Sequence, residues 1–206
     1  MVEFSQIQKP DVEYFSKKRK IYCVANIFVP DDAPDDFKEL SNRYWDEVEK
    51  QLERIEIAGK VKKIFCEFIY DDSEKELEKI YSTHNKLSML IKKKIEQGGK
   101  LLPIEDKEIF EPLTDWLNCL RVVFTREVFN KVFEYYRELS EKRLNKILEI
   151  IDSNLEQEEA GLVIMQTEDR ARLQFPNDIE VFLITPPSYD DIMRWIRDKN
   201  REIRQR

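Results

Sequence analysis

The sequence predicts a three-layer α/β fold, with a mostly parallel central sheet of about five strands flanked by helices. Strand-like apolar segments alternate with longer helical segments along the 206 residues, which is the pattern of βαβ units. Several strands are nearly continuous apolar runs, as expected of a sheet that helices cover on both faces. Predicted helices are followed by glycine and then by a strand at Gly59, Gly98-Gly99 and Gly161. We expect these glycines to adopt the left-handed conformation that ends many helices.

The predicted elements follow one another in a simple order. The strands are expected at 21–29, 62–70, 100–104, 162–167 and 180–185. The helices are expected near 34–57, 73–97, 107–121, 126–157 and 188–204. Strand–helix–strand connections of this kind are right-handed crossovers between parallel strands. Residues 1–19 are predicted to form an N-terminal arm, and residues 20–206 a single α/β domain.

The helix expected near 126–157 is longer than a small sheet requires. At 1.5 Å per residue it measures roughly 45 Å. Its apolar residues follow helical spacing and include Phe129, Val132, Phe133, Tyr136, Leu139, Leu144, Ile147, Leu148, Ile151 and Leu155. Either the whole apolar stripe belongs to the core, or part of it packs against a second subunit. The second interpretation predicts a homo-oligomer.

Composition narrows the classes of partner. The chain has 35 Lys and Arg against 42 Asp and Glu, a net charge of −7, which argues against nucleic-acid binding through overall charge. Charged residues make up 37% of the chain, a composition similar to that of thermophile proteins. No segment resembles a signal peptide or approaches ~20 apolar residues, so we expect a soluble, cytoplasmic protein without membrane contact. The basic segment RWIRDKNREIRQR leaves open a polyanion-binding module on the last helix.

The usual catalytic and cofactor motifs are missing. The single histidine, His84, lies in a predicted helix, and no GxSxG nucleophile motif occurs. Neither GxGxxG nor a GxxxxGK phosphate loop is present, so nucleotide binding through such loops is not expected. Cys23 and Cys66 lie in apolar strand segments, where we expect buried, reduced thiols rather than a zinc site or a disulfide. No organic cofactor is identified, and a divalent metal is the alternative.

Carboxylates near the predicted ends of strands are the remaining candidates for chemistry. Glu67 lies within an otherwise apolar strand, and Asp169 follows the strand LVIMQT. Because ligands bind at the carboxyl ends of strands in open α/β sheets, these two residues are candidate ligands of a divalent cation. Alternatively, Glu67 pairs with a buried Arg121 or Arg143, and the other carboxylates are solvated. The candidate catalytic residues are Glu67, Glu105, Asp106, Arg143, Asp169 and Arg170.

The order of these residues resembles the superfamily that contains TraB/TIKI-like, haem-binding ChaN-like and erythromycin-esterase-like proteins. In that superfamily an acidic residue ends a strand, a long helix carries an arginine, and a later strand ends in GxxH. Here Glu67 stands at the place of the acid, Arg143 in EKRLNKI at that of the arginine, and GLVIMQTED at that of the last strand. The resemblance covers residues 21–185 and implies an enzyme-derived scaffold.

The histidine motifs of that superfamily are lost in this chain. Gln166 and Asp169 replace the glycine and the histidine of GxxH, and Asn26 and Phe28 stand where an earlier GExH motif has its acid and its histidine. A metallohydrolase or esterase that relies on those ligands is therefore not expected to work here.

Two functional hypotheses remain beside the polyanion-binding module. The leading one is a cytoplasmic binding or interaction protein on an enzyme-derived scaffold, with an unknown protein or small molecule as its partner. The alternative is a hydrolase-like enzyme in which the strand-end carboxylates hold a divalent cation and Arg143 or Arg170 stabilises an anion.

Overall fold

The computed structural model describes residues 18–30, 32–71, 76, 78 and 85–204. Its sheet consists of β1 (Arg19–Ala25), β2 (Val61–Cys66), β3 (Lys100–Pro103), β4 (Ala160–Met165) and β5 (Ile179–Ile184). The strands lie in the order β3-β2-β4-β1-β5, and all neighbouring strands are parallel. The late strand β4 is therefore inserted between β1 and β2.

Helices cover both faces of this sheet, which confirms the predicted three-layer α/β class. They are α1 (Asp35–Ile55), α2 (Lys86–Glu96), α3 (Lys107–Val122), α4 (Arg126–Asn154), α5 (Thr167–Arg170) and α6 (Pro187–Arg204). Because side chains alternate along a strand, Tyr22 and Val24 of β1 lie in one core, with residues of α1, α2 and α6. Ile21 and Cys23 lie in the other core, with residues of α4. None of the helices in the described ranges is long and apolar enough to cross a membrane.

All five strands end earlier than the sequence predicts, and β1 and β2 do so by four residues. β1 ends at Ala25 rather than at residue 29, and β2 ends at Cys66 rather than at residue 70. The apolar runs continue into loops whose side chains still contact the core, as Ile69 does, so hydrophobicity alone does not mark the strand end. The prediction that Glu67 lies inside a strand is therefore wrong, because Glu67 lies directly beyond the carboxyl end of β2.

The glycine prediction is right for Gly98 and wrong for Gly59 and Gly161. Gly98 follows α2 with a φ of 95°, but neither of the other two has a positive φ. Gly161 lies inside β4, where a Cβ atom would come within 3.0 Å of side-chain atoms of Ile21 and Phe65. A glycine is needed at position 161 because the neighbouring side chains leave no room for a Cβ atom. The left-handed residue near the end of α4 is instead Glu158.

The long helix exists and extends past the sheet. α4 has 29 residues, which corresponds to a length of about 44 Å, whereas a strand of six residues such as β4 spans about 20 Å. The part of α4 that precedes Ser140 contacts α3, with which it forms a helical hairpin connected by residues 123–125. Thr125 caps its N-terminus by accepting a hydrogen bond from the backbone N–H of Val128.

Some sequence predictions fall outside the described residues. These are residues 1–17 of the predicted arm, and 73–75, 77 and 79–84 of the helix predicted at 73–97, including His84. The arm was predicted to extend to residue 19, but Arg19 already belongs to β1. Arg19 is buried, and the cost of burying its charge is offset by hydrogen bonds from the guanidinium to Asp152 at 2.7 Å and Asp178 at 2.8 Å.

Candidate functional site

The chain leaves neighbouring strands toward opposite faces at the centre of the sheet. β1 and β2 are followed by α1 and α2 on one face. β4, which lies between them, is followed by the short helix α5 and then by a loop whose Leu173 lies in the core of the other face. Such a reversal opens a crevice at the carboxyl ends of the strands, and ligands of open α/β proteins bind there. Glu67, Asn26 and Gln166 each directly follow one of these three strands.

Arg143 of α4 brings the acidic residues of this edge together. Its Nε and Nη2 atoms donate to the two carboxylate oxygens of Glu105 at 2.9 and 2.5 Å. Its Nη1 atom hydrogen-bonds Asp169, and its Nη2 lies 3.9 Å from Oε2 of Glu67. We call Asn26, Glu67, Glu105, Arg143 and Asp169 the Arg143 cluster.

Glu67 joins the ends of three strands. Its carboxylate accepts hydrogen bonds from Nδ2 of Asn26 at 2.7 Å and from the backbone N–H of Gln166 at 3.1 Å. Its exposed fraction is 2%. Burial raises the pKa of Glu67 to about 7, with a further contribution from Glu105, although its hydrogen bonds and the charge of Arg143 act in the opposite direction.

The guanidinium of Arg143 is held in its charged form. Burial lowers its pKa, but the hydrogen bonds and charges of Glu105 and Asp169 outweigh this, so the pKa of Arg143 lies above its ordinary value. The guanidinium also lies over the ring of Phe110, 5.3 Å from its centroid. A permanent cation therefore occupies the middle of the cluster.

A left-handed residue positions Glu105. Phe68, directly after Glu67, has a φ of 68°, a conformation that costs energy for a residue with a Cβ atom. The turn places the carbonyl of Ile69 where it accepts the N–H groups of Ile104 and Glu105, both at 3.1 Å. The ring of Phe68 contacts the edge of Phe110 at 5.6 Å between centroids. The strained backbone at Phe68 thus lies in the turn that hydrogen-bonds the loop after β2 to the residues after β3.

Four of the six predicted catalytic residues come together, namely Glu67, Glu105, Arg143 and Asp169. Asp106 instead caps α3 by accepting the N–H of Glu108 at 2.9 Å, and Arg170 lies beside β5, at a different cavity. Of the two arginines considered as partners of Glu67, Arg143 is the observed one, because Arg121 is exposed and bonds Asn118.

Sequence reasoning did not identify Asn26 or the backbone N–H of Gln166 as partners of Glu67. Both directly follow strands, and that position was the available signal. Their contacts depend on β4 lying between β1 and β2, and the sequence does not reveal that strand order.

The arrangement favours an ion-pair network over a metal centre. Within the described part of the chain, no group of three His, Cys, Asp or Glu side chains is placed to hold a metal ion, and Arg143 is already paired with both Glu105 and Asp169. A cavity of about 540 Å³ opens beside Asn26, with Ser41, Trp45 and Phe68 among its walls, but the three carboxylates do not line it. The cluster has the burial and the raised pKa of a functional site, but its charged groups are paired with one another.

Comparison of the chain with protein-family models, with curated proteins and with solved structures gives no match.

Proposed function

We propose that the protein is a binding protein that associates with a second copy of itself through the end of the α3–α4 hairpin. The observation that carries this proposal is a set of exposed apolar side chains near the connection of the two helices. We call this set the tip patch, and its members are Val122, Phe124, Val128, Phe129, Phe133 and Tyr135. Catalysis by the Arg143 cluster is the less well supported function.

Phe129 and Phe133 of the tip patch continue the stripe by which α4 contacts the sheet. Tyr136, Ser140, Leu144, Ile147 and Ile151 follow Phe129 and Phe133 at spacings of three or four residues, so all of them lie on one side of the helix. From Ser140 onward the residues of this stripe are buried. Phe129 and Phe133, by contrast, are exposed to 42% and 44%. The stripe therefore extends beyond the surface that covers it.

The area of the patch suits a second copy of the chain. Phe124 is fully exposed and Tyr135 is exposed to 53%. If a complete aromatic side chain presents about 200 Å², the four aromatic residues expose on the order of 500 Å². Two copies then bury on the order of 1,000 Å² from these rings alone, which approaches the lower limit of specific interfaces. A two-fold interface of this kind uses the same patch on both subunits.

Charge also favours the hairpin end as the place of contact. The whole chain carries a net charge of −7, so most of its surface repels a second copy. Residues 121–139 contain four basic and three acidic residues, and this segment is close to neutral. Two copies meeting there avoid most of that repulsion.

In this proposal the Arg143 cluster has a structural role. Arg143 fastens α4 to residues that follow β2, β3 and β4. A buried, bidentate arginine fixes direction as well as distance. The cluster therefore sets the angle at which the hairpin projects from the sheet, and a fixed angle lowers the cost of ordering the interface.

The C-terminal helix gives less support to the polyanion-binding alternative. Several basic residues of α6 lie within ion-pair distance of acidic residues on the same helix, as Lys199 does with Glu202 at 3.1 Å. Trp195 of α6 packs against the core, donates a hydrogen bond to Asp36 of α1 at 2.8 Å and lies 4.6 Å from the ring of Phe37. Its face is consequently not open for a ligand.

The test is the concentration dependence of mass in solution. We expect wild-type protein to form a dimer in light scattering coupled to size-exclusion chromatography, and Phe129→Ser/Phe133→Ser to weaken the dimer at least tenfold. Loss of two aromatic contacts from a well-packed interface accounts for this magnitude.

The matched control is Val181→Ser/Leu183→Ser, which also removes two exposed apolar side chains, but on the edge strand β5. It should leave the dimer intact. A wild-type monomer at all concentrations, or a dimer that only the β5 variant dissociates, would overturn the proposal.

A further inference from the structure

A second cavity, of about 440 Å³, lies beside the edge strand β5 on the face of the sheet that α4 covers elsewhere. Its volume is within the usual range of small-molecule sites, about 300–1,000 Å³. Its walls are mostly apolar and include Cys23, Leu173, Phe175, Val181 and Leu183. Leu183 is exposed to 59% and Val181 to 42% although both point to this face.

One charged side chain stands in this apolar wall. Among the lining residues, all of which belong to the described part of the chain, Arg170 is the only charged one. Its Nη1 atom is buried and has no hydrogen-bond partner among the described residues. A buried guanidinium nitrogen without an acceptor is unfavourable, and most such groups in folded proteins are paired.

The position of Arg170 is fixed by its surroundings. It is the last residue of α5, directly after β4, and its carbonyl accepts the N–H of Leu173 at 3.1 Å. Leu173 is buried in the core, and Asp178, at the end of the same loop, pairs with Arg19. The charge of Arg170 reaches the interior, since it opposes the burial that raises the pKa of Cys23 to about 12.

We propose that this cavity binds a small amphiphilic carboxylate, an apolar body with one anionic head, and that Arg170 holds the head. One guanidinium in an apolar wall matches a single negative charge, whereas a dianion such as phosphate leaves a charge buried without compensation. The carboxylate supplies the acceptor that Nη1 of Arg170 lacks, with two oxygens for the planar guanidinium. The apolar body covers Val181 and Leu183, which gains hydrophobic free energy. The Arg143 cluster takes no part in this site.

Octanoate is the probe. 1-Octanol, which keeps the apolar chain without the charge, and acetate, which keeps the carboxylate without the chain, are the control ligands. By isothermal titration calorimetry we expect octanoate to bind the wild-type protein at least tenfold more tightly than either. Arg170→Met keeps an unbranched apolar side chain and removes the charge. It should weaken the binding of octanoate 10- to 100-fold, which corresponds to the loss of a charge-assisted hydrogen bond. The affinity for octanol should change by no more than about twofold.

Two further variants keep the result interpretable. Leu183→Asp adds a negative charge at an exposed position of the cavity wall. It should weaken the binding of octanoate at least tenfold without unfolding the chain. Arg197→Met, at an exposed position of α6, should change nothing, and thermal unfolding checks that each variant is folded. Equal affinity of wild-type protein for octanoate and octanol, undiminished octanoate binding by Arg170→Met, or no binding of millimolar octanoate would each overturn the inference.

Discussion

The two halves of α4 carry similar apolar stripes but lie in different surroundings. From Ser140 to Asn154 the helix lies on the sheet, and Leu144, Ile147 and Ile151 are buried there. From Arg126 to Leu139 it lies against α3, and Phe129 and Phe133 are exposed. The sheet-bound half, Ser140 to Asn154, also carries Arg143, whose charge is paired with Glu105 inside the protein. One helix therefore serves as a core element at one end and as an exposed surface at the other.

The difference shows that helical spacing of apolar residues predicts which side of a helix is buried, not how much of its length. Burial also needs an opposing surface, and the six residues of β4 reach along less than half of α4. Substitutions in the sheet-bound half should change folding stability, and substitutions in the hairpin half should change association.

The largest effect is expected from Arg143→Met in the sheet-bound half. It leaves Glu105, and in part Glu67 and Asp169, buried without a cation, and breaking a buried ion pair from one side costs about 3–5 kcal/mol. Urea denaturation should show that loss in the free energy of unfolding. Arg121→Met, which removes an exposed arginine at the hairpin end, should change stability by less than about 0.5 kcal/mol. Similar losses for both variants would contradict the division of α4 into two halves.

A purely apolar pair of variants tests the same division. Ile147→Ala leaves a cavity in the core and should cost about 2–5 kcal/mol. Phe133→Ala, on the same stripe, should cost less than about 1 kcal/mol when measured at a concentration at which the protein is monomeric. If Phe133→Ala destabilises the monomer as much as Ile147→Ala does, the hairpin end belongs to the core of the monomer.

A smaller, pH-dependent effect is expected at Glu67. Its pKa of about 7 in the folded protein is above the ordinary 4.5, so the folded state binds the proton more tightly than the unfolded state. The resulting stabilisation is full below pH 4.5 and is lost as the pH rises through 7. Glu67→Gln, which is never charged, removes this term.

The measurement is the free energy of unfolding of both proteins at pH 5 and pH 8. Wild type should lose roughly 2–3 kcal/mol more than Glu67→Gln between these two values. Glu111→Gln, at an exposed position of α3, is the control and should follow the wild type. Parallel curves for wild type and Glu67→Gln would mean that Glu67 stays ionised in the folded state.

The sequence predicted the fold class, the order of the elements and the unusual length of α4, because these depend on local periodicity. It placed Glu67, Glu105 and Asp169 on a shared edge through the general rule for strand ends, and it named Arg143 of the long helix as a partner of Glu67. It did not give strand order, so the contact of Asn26 with Glu67 could not be foreseen. Composition alone predicts strands in the apolar loops after β1 and β2, since a loop that remains buried has the same composition as a strand.

The proposed resemblance to the TraB/TIKI, ChaN-like and erythromycin-esterase-like superfamily stays a prediction. Glu67 and Arg143 do lie together, 3.9 Å apart. An acid and an arginine on adjoining elements form such pairs in many buried networks, so this contact does not identify a family.

The position of β1 in the sheet has a consequence for how the chain acquires its structure. Ile21 pairs with Gly161 and with Val181, so both neighbours of this first strand are synthesised well over a hundred residues after it. Pairings so distant in sequence slow folding, because a long loop must close before they form. During synthesis both hydrogen-bonding edges of β1 stay bare until β4 has left the ribosome, and one edge stays bare until β5 has followed. We therefore expect slow refolding, and chaperone dependence set by the first strand rather than by the last.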